Sequence, residues 1–282
     1  MALNHLCFAD DALLFCRGDK AFVWWMLRAF STFTKPSGLR MSPTKSYIYF
    51  NGVPTAVISD IVQRSGLQLG TLPFRYLGVP ISPKKLSVLE CELLTDKIVA
   101  RIRSWGAKKL SYAGRVVLIK AILTQLHTYW ARIFILPMVV IKRIDAICSA
   151  YLWSGHEHYE KAPNVAWDRV CRSQQHGGLG ILNLKAWNIA NIGKFGWWLA
   201  KKEDHLWIRW IHGTYLKGQD WNTYSPSFNS SSTWKGICRA WDQLRAGCVG
   251  SWWLTRNKEY TVAAGYDWLM QGLTVANWRA FV

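Results

Sequence analysis

Apolar positions along this chain first come in short paired runs and then settle into long helical spacings. His5 to Leu14 reads HLCF-ADD-ALLF, two apolar runs around a paired acid, which predicts strand, tight turn and strand. Asp19 is placed to cap a helix over Lys20 to Phe33, with Phe22, Trp25, Met26, Ala29 and Phe33 on roughly one face and Pro36 and Gly38 to end it. Lys45 to Phe50 alternates weakly as a strand and is closed by Asn51-Gly52. Ala56 to Arg64 is a short helix ending at Ser65-Gly66, and Phe74 to Ile81 is extended, punctuated by Gly78 and Pro80.

The rhythm then changes. Ser87-Val88-Leu89-Glu90 is a capping box, and Val88, Leu89, Leu93, Leu94, Ile98, Ile102 and Trp105 keep helical spacing to Gly106. A second helix follows Ser111 and runs to about Arg132. A third follows Pro137, with Ile141, Ile144, Ile147, Cys148 and Tyr151 facing inward. Past residue 153 the pattern loosens. Val165 to Val170 is a short helix or turn, and Gly177 to Ile181 a flexible loop. Asn188 to Lys202 and His205 to Leu216 are Trp-rich helices. Asn229 to Thr233 is a Ser-rich break between these and helices over Trp234 to Leu244 and Ala263 to Met270. The predicted fold class is α+β at the N-terminus and mostly α after it.

Composition narrows the function classes. Half of the 282 residues are hydrophobic, enough for a core. The longest nearly uninterrupted apolar run, Ile133 to Ile141, has nine residues, whereas a spanning helix needs about twenty, so no membrane partner is expected. Asp10 and Asp11 interrupt what would be a signal-peptide core. Seven scattered cysteines without a C-x-x-C pair read as free thiols of a reducing, intracellular chain. Lys108-Lys109 is too short to specify the nucleus, so nucleus and cytoplasm both stay open.

The 35 Lys and Arg against 17 Asp and Glu give a net charge of +18, which favours a polyanion and first of all nucleic acid. From Lys97 to Arg143 there are ten basic residues and no acidic one. One basic helix face is commonly just solvated, but three in succession repel each other unless a polyanion relieves them. Lys97, Arg101, Arg103, Lys108, Lys109, Arg115 and Lys120 are the candidate nucleic-acid contacts. The eighteen tryptophans read as core and interface packing, with base stacking as the alternative.

Asp10 and Asp11 suit an exposed turn, where Asp is common. They also suit a hard cation, since Mg²⁺ prefers carboxylate oxygens completed by phosphate and water. His156, His158, Cys171 and His176 match no common zinc-finger spacing. No G-x-S-x-G, G-x-G-x-x-G or P-loop occurs.

The stretch His5 to Phe15, with Phe8-Ala9-Asp10-Asp11 at its centre, resembles the catalytic hairpin of reverse transcriptases of plant non-LTR (LINE-type) retrotransposons. Four later segments resemble that family in the same order: Ser37-Gly38-Leu39-Arg40 through Lys45-Ser46, then Phe74 to Ile81 with Tyr76-Leu77-Gly78, then Arg103-Ser104-Trp105 to Leu123, then Val165-Ala166-Trp167 to Ile181. Lys258 to Leu269 is similar to the opening of the zinc-binding domain that ends many such proteins.

The resemblance implies a partial polymerase palm over 1–84, a helical thumb over 85–153, a Trp-rich connection over 154–250 and the start of the zinc-binding domain over 251–282. It implies Asp10 and Asp11 as catalytic Mg²⁺ ligands, Lys45 near the triphosphate and Tyr76, Leu77 and Gly78 as primer grip. The partners implied are an RNA template and an RNA–DNA hybrid. The family's first catalytic Asp lies upstream of the hairpin, and only nine residues precede Asp10, so catalysis by this chain alone is not expected. The chain ends before the Cys/His ligands, so zinc is not expected. The alternatives are a non-specific backbone-binding module and a non-functional retroelement remnant.

Overall fold

The computed structural model describes residues 4–38, 41–82, 85–106, 110–122, 128–156, 158, 163, 165–249 and 252–271. The chain divides into two compact units, Met1–Pro83 and Lys84–Val282.

The first unit is α+β. β1 (His5–Phe8) and β2 (Asp11–Leu14) pair antiparallel, with Phe8 opposite Asp11 and His5 opposite Leu14. α1 (Lys20–Ser37) starts where Asp19 accepts a hydrogen bond from the Phe22 N–H at 3.0 Å, and it stops at Gly38 with φ +71°. Pro36 therefore lies inside the last turn and does not end the helix, because the left-handed glycine after it supplies the stop. The aromatic face of α1 is largely open to solvent. Val23 is the buried residue of α1, while Phe22, Trp25 and Phe33 are 43%, 63% and 56% exposed. The physical reason is that among the described residues the strands pair two by two, which gives no broad layer to cover that face.

α2 (Thr55–Ser65) is tied to α1 by Asp60, which takes Lys20 at 2.8 Å and Arg64 at 2.9 Å. The hydrogen bond from Lys20, followed by the Arg64 charge, holds the Asp60 carboxyl below the usual carboxylate range. α2 is the crossover between β3 (Tyr47–Ile48) and β4 (Gln68–Leu69), which pair in parallel. The predicted strand over 45–50 is thus shorter. Pro43 opens a 3-10 turn over Pro43–Lys45, so Lys45 sits on a turn and not on a strand. β5 (Phe74–Tyr76) and β6 (Val79–Ile81) form a hairpin whose two loop residues, Leu77 and Gly78, have φ +50° and +81°, the twist that two-residue hairpins favour. Tyr49 stacks on Phe74 at 4.3 Å and joins the two pairs.

The second unit is mostly helical. Its capping box forms as expected: Glu90 accepts from the Ser87 N–H at 2.6 Å, and Ser87 Oγ accepts from the Glu90 N–H at 3.2 Å. A 3-10 turn over Leu89–Cys91 leads into α3 (Glu92–Gly106). α4 (Tyr112–Ile122) and α5 (Thr128–Ile133) occupy the range predicted as one helix, and the residues between them lie outside the described ones. α6 (Met138–Ser154) buries Ile141, Ile144, Ile147, Cys148 and Tyr151, the predicted inward set, and packs with α3 and α4.

α7 (Trp167–Val170) is followed by a loop that is built, not loose: Leu179 N donates to Val170 O at 2.9 Å and Gly180 N to Arg172 O at 2.8 Å. Gly178 is required there, since a Cβ would stand 2.0 Å from the Arg172 carbonyl oxygen. α8 (Leu184–Lys201) begins earlier than expected because Asn183 caps it through the Ala186 N–H. α9 (Leu206–Ile211) continues as a π-helical turn over His212–Leu216. α10 (Ser232–Leu244), the short pair β7 (Cys248–Val249) and β8 (Trp252–Trp253), and α11 (Val262–Met270) complete it.

The core of this unit is tryptophan. Trp197, Trp221, Trp234, Trp241 and Trp253 are buried together with Tyr260, Leu216 and Leu244. These five indoles serve packing, and base stacking by them is excluded. No helix among the described residues is long and apolar enough to cross a membrane.

Candidate nucleic-acid interface and acidic hairpin

The acidic hairpin is open to solvent. Ala9 and Asp10 form its two-residue loop, with Ala9 in the left-handed region at φ +51°, and Asp11 opens β2. Asp10 and Asp11 are both exposed. Successive strand side chains point to opposite faces, and only the turn allows the two carboxylates to approach a common ion. Their oxygens are the right donors for Mg²⁺, which takes one or two carboxylates and fills its shell with water and phosphate. Among the described residues no three His, Cys, Asp or Glu side chains converge as a metal set, so this pair has no third carboxylate beside it. The same holds for His156, His158, Cys171 and His176, where His176 Nδ1 lies 2.7 Å from Ser173 Oγ and burial pushes the Cys171 thiol up.

Lys45 is exposed on its 3-10 turn, and among the described residues no ion pair joins it to Asp10 or Asp11. Tyr76 ends β5, half-buried, and Leu77 and Gly78 are the exposed loop of the β5–β6 hairpin. The structure therefore places the three groups on three separate local elements of the first unit.

The basic surface is clearer. On α3, Leu94, Ile98 and Ile102 are buried, while Lys97, Arg101 and Arg103 are exposed around that stripe. On α6, Lys142 and Arg143 are exposed, and Arg132 of α5 is exposed as well. Lys120 is half-buried on α4, near Gly180. Lys108 and Lys109 lie outside the described residues.

Arg115 has a structural task that the sequence reading did not assign. Its Nη1 donates to the carbonyls of Leu152 and Trp153 at 3.3 and 3.4 Å, the otherwise open end of α6, beside the left-handed Gly155. The sequence could mark Gly155 as the end of this helix, but not which distant side chain supplies its donors.

Sequence comparison gives two relatives. No family model matches the chain. It is 30% identical over 161 residues to the Arabidopsis thaliana protein named "Putative ribonuclease H protein At1g65750", a match that covers 56% of this chain and 26% of that protein. It is 25% identical over 125 residues to an uncharacterized mitochondrial protein of Arabidopsis thaliana, covering 44% of this chain and 81% of the relative. The chain therefore spans about a quarter of the length of the first.

A half-buried acid also lies outside the predicted set. Asp145 of α6 accepts a hydrogen bond from Trp167 Nε1 at 2.9 Å. Burial raises its pKa to about 7, against the Trp167 hydrogen bond, which lowers it. Between its ordinary value and about 7 the folded protein holds a proton that the unfolded chain has released, so stability falls as pH rises through that window. Asp145→Asn keeps an acceptor for Trp167 and removes the titration. Each pKa unit corresponds to about 1.4 kcal/mol, and partial exposure lowers the effect, so a gain of about 1–2 kcal/mol is expected at pH 8. The gain should vanish near pH 4. Urea melts of both proteins at the two pH values check this, and an equal gain at both would contradict it.

Proposed function

We propose that this chain binds nucleic-acid backbone through the outer surface of α3 and α6, and that it is part of a retroelement reverse transcriptase, an RNA-directed DNA polymerase. The observation that carries the binding is the segregation on α3: Lys97, Arg101 and Arg103 outside, Leu94, Ile98 and Ile102 inside, within a stretch of ten bases and no acid. Such a surface reads phosphate spacing and not sequence. The ordered family motifs and a relative named for ribonuclease H, an activity directed at nucleic acid, support an RNA–DNA hybrid as the ligand.

In this reading Asp10 and Asp11 would hold Mg²⁺, which when bound would neutralise phosphate charge during nucleotide addition. The exposed hairpin presents the two carboxylates to an incoming phosphate, and Lys45 and the Leu77-Gly78 loop present a cation and a close backbone approach. Two carboxylates give incomplete stabilisation of the transition state, so no Mg²⁺-dependent extension of a primed RNA template by this chain alone is expected.

The test is anisotropy of a labelled RNA–DNA hybrid across a salt series. Affinity should fall steeply, with a log–log slope of about −0.9 per phosphate contact. Lys97→Glu/Arg101→Glu/Arg103→Glu should weaken binding at least about 100-fold and flatten the slope by about 2–3. Asp10→Ala/Asp11→Ala should leave binding unchanged. A flat salt response sinks the proposal. The open aromatic face of α1 favours a second reading, a non-functional remnant, which a soluble monomer with one sharp melt would argue against.

A further inference from the structure

The second unit exposes a second surface, aromatic as well as cationic, where the π-helical turn faces the start of α10. Phe228 is 93% exposed. It is held out by a built turn: Ser227 Oγ lies 2.9 Å from Ser230 Oγ, Ser230 N donates to Ser227 O at 3.1 Å, and Lys235 Nζ donates to the Phe228 carbonyl. Lys235 Nζ also stands 5.1 Å from the centre of the Phe228 ring. Trp210, 44% exposed, meets Tyr215 edge-on at 5.7 Å, and Tyr215 donates through its hydroxyl to Ser231 Oγ at 3.4 Å, at the cap of α10. One turn on from Lys235 along α10, Arg239 is exposed, and the first acid of that helix is Asp242.

We propose that this strip, Phe228 and Trp210 with Lys235 and Arg239, stacks the unpaired bases of single-stranded nucleic acid, a reading that rests on the nucleic-acid binding proposed above and deepens it. A phenylalanine presented to water from a hydrogen-bonded turn, with a cation on one ring face, leaves its other face for a flat ring. The cations beside it meet the phosphates that accompany that ring. Paired bases are already stacked on each other and offer only edges, so a duplex cannot use the strip.

The test uses the full chain, a labelled oligo-dT strand and a mixed-sequence DNA duplex of equal length. Phe228→Ala removes an exposed ring, and an unchanged melt confirms that it folds. It should weaken oligo-dT binding about tenfold and leave the duplex within about twofold. Phe228→Trp should restore oligo-dT binding and Phe228→Leu should not, since stacking needs an aromatic face. Equal loss on both probes, no loss, or rescue by leucine overturns the inference. So does loss of partition onto phosphatidylcholine vesicles with oligo-dT binding intact, which would make Phe228 a membrane contact. Wild-type binding to duplex but not to oligo-dT overturns this inference alone, and binding to neither removes the backbone reading with it.

Discussion

Asn188→Ala is expected to destabilise the second unit by about 3–5 kcal/mol, through three hydrogen bonds lost at once in a buried place. Asn188 is 4% exposed. Its Nδ2 donates to Ala131 O at 2.8 Å and Phe134 O at 2.7 Å, and its Oδ1 accepts from Leu136 N at 3.0 Å. One amide of α8 thus closes the C-terminal end of α5 and the turn into Pro137. The alanine variant leaves two carbonyls and one N–H without partners, each costing about 1–3 kcal/mol. Ala131 is fully buried and Leu136 only 3% exposed, so water does not readily replace the amide. Asn188→Asp is the discriminating control. It keeps the size and the acceptor but sets a carboxylate against two carbonyl oxygens, so it should cost at least as much as alanine. A mild effect of the aspartate would mean that Asn188 only fills space. Urea denaturation followed by tryptophan fluorescence reads the right unit, since all tryptophans but Trp24 and Trp25 lie beyond residue 84.

Asn188 also shows where sequence reading stops. Its partners lie more than fifty positions away, and nothing in a polar residue on a Trp-rich helix signals a buried cap for another helix. Signals that act within a few residues were legible: the F-A-D-D hairpin, the Asp19 cap, the Ser87–Glu90 box and the inward face of α6 all form where the local pattern put them. The start of α8 was misjudged because Asn183 was not recognised as its cap. The pairing of β3 with β4 went unseen because the partner strand lies beyond α2 and has two residues, and β7–β8 because two-residue strands leave no period to detect.

For the candidate site, the buried stripe of Leu94, Ile98 and Ile102 follows from helical spacing, and Lys97, Arg101 and Arg103 stay exposed around it. The diversion of Arg115 to a helix end does not follow from spacing, because it depends on a contact across 37 positions. Likewise Phe22, Trp25 and Phe33 share a helical face whether or not anything covers it, and periodicity alone cannot say which.

Gly196→Ala should have the second largest effect, about 2–4 kcal/mol, for the opposite physical reason: too much matter in place of missing partners. α8 carries Gly193 and Gly196 on the side where it meets α10. A Cβ at 193 would come within 2.0 Å of Leu244 Cδ1, the far end of a flexible side chain. At 196 it would meet three indole atoms of Trp241 at 2.7–2.8 Å. Trp241 is 2% exposed and lies against Trp221, with ring centres 6.4 Å apart, so the indole has no room to turn. Gly193→Ala should therefore be the milder change, even though its closest approach is shorter. Trp241→Leu removes the obstructing ring at the cost of a large cavity. Combined with Gly196→Ala, it should be less harmful than the sum of the two, by about 1 kcal/mol or more, because the added methyl enters the space the indole leaves. Strict additivity in that double-mutant cycle would mean that the two helices do not approach as closely as the glycine implies.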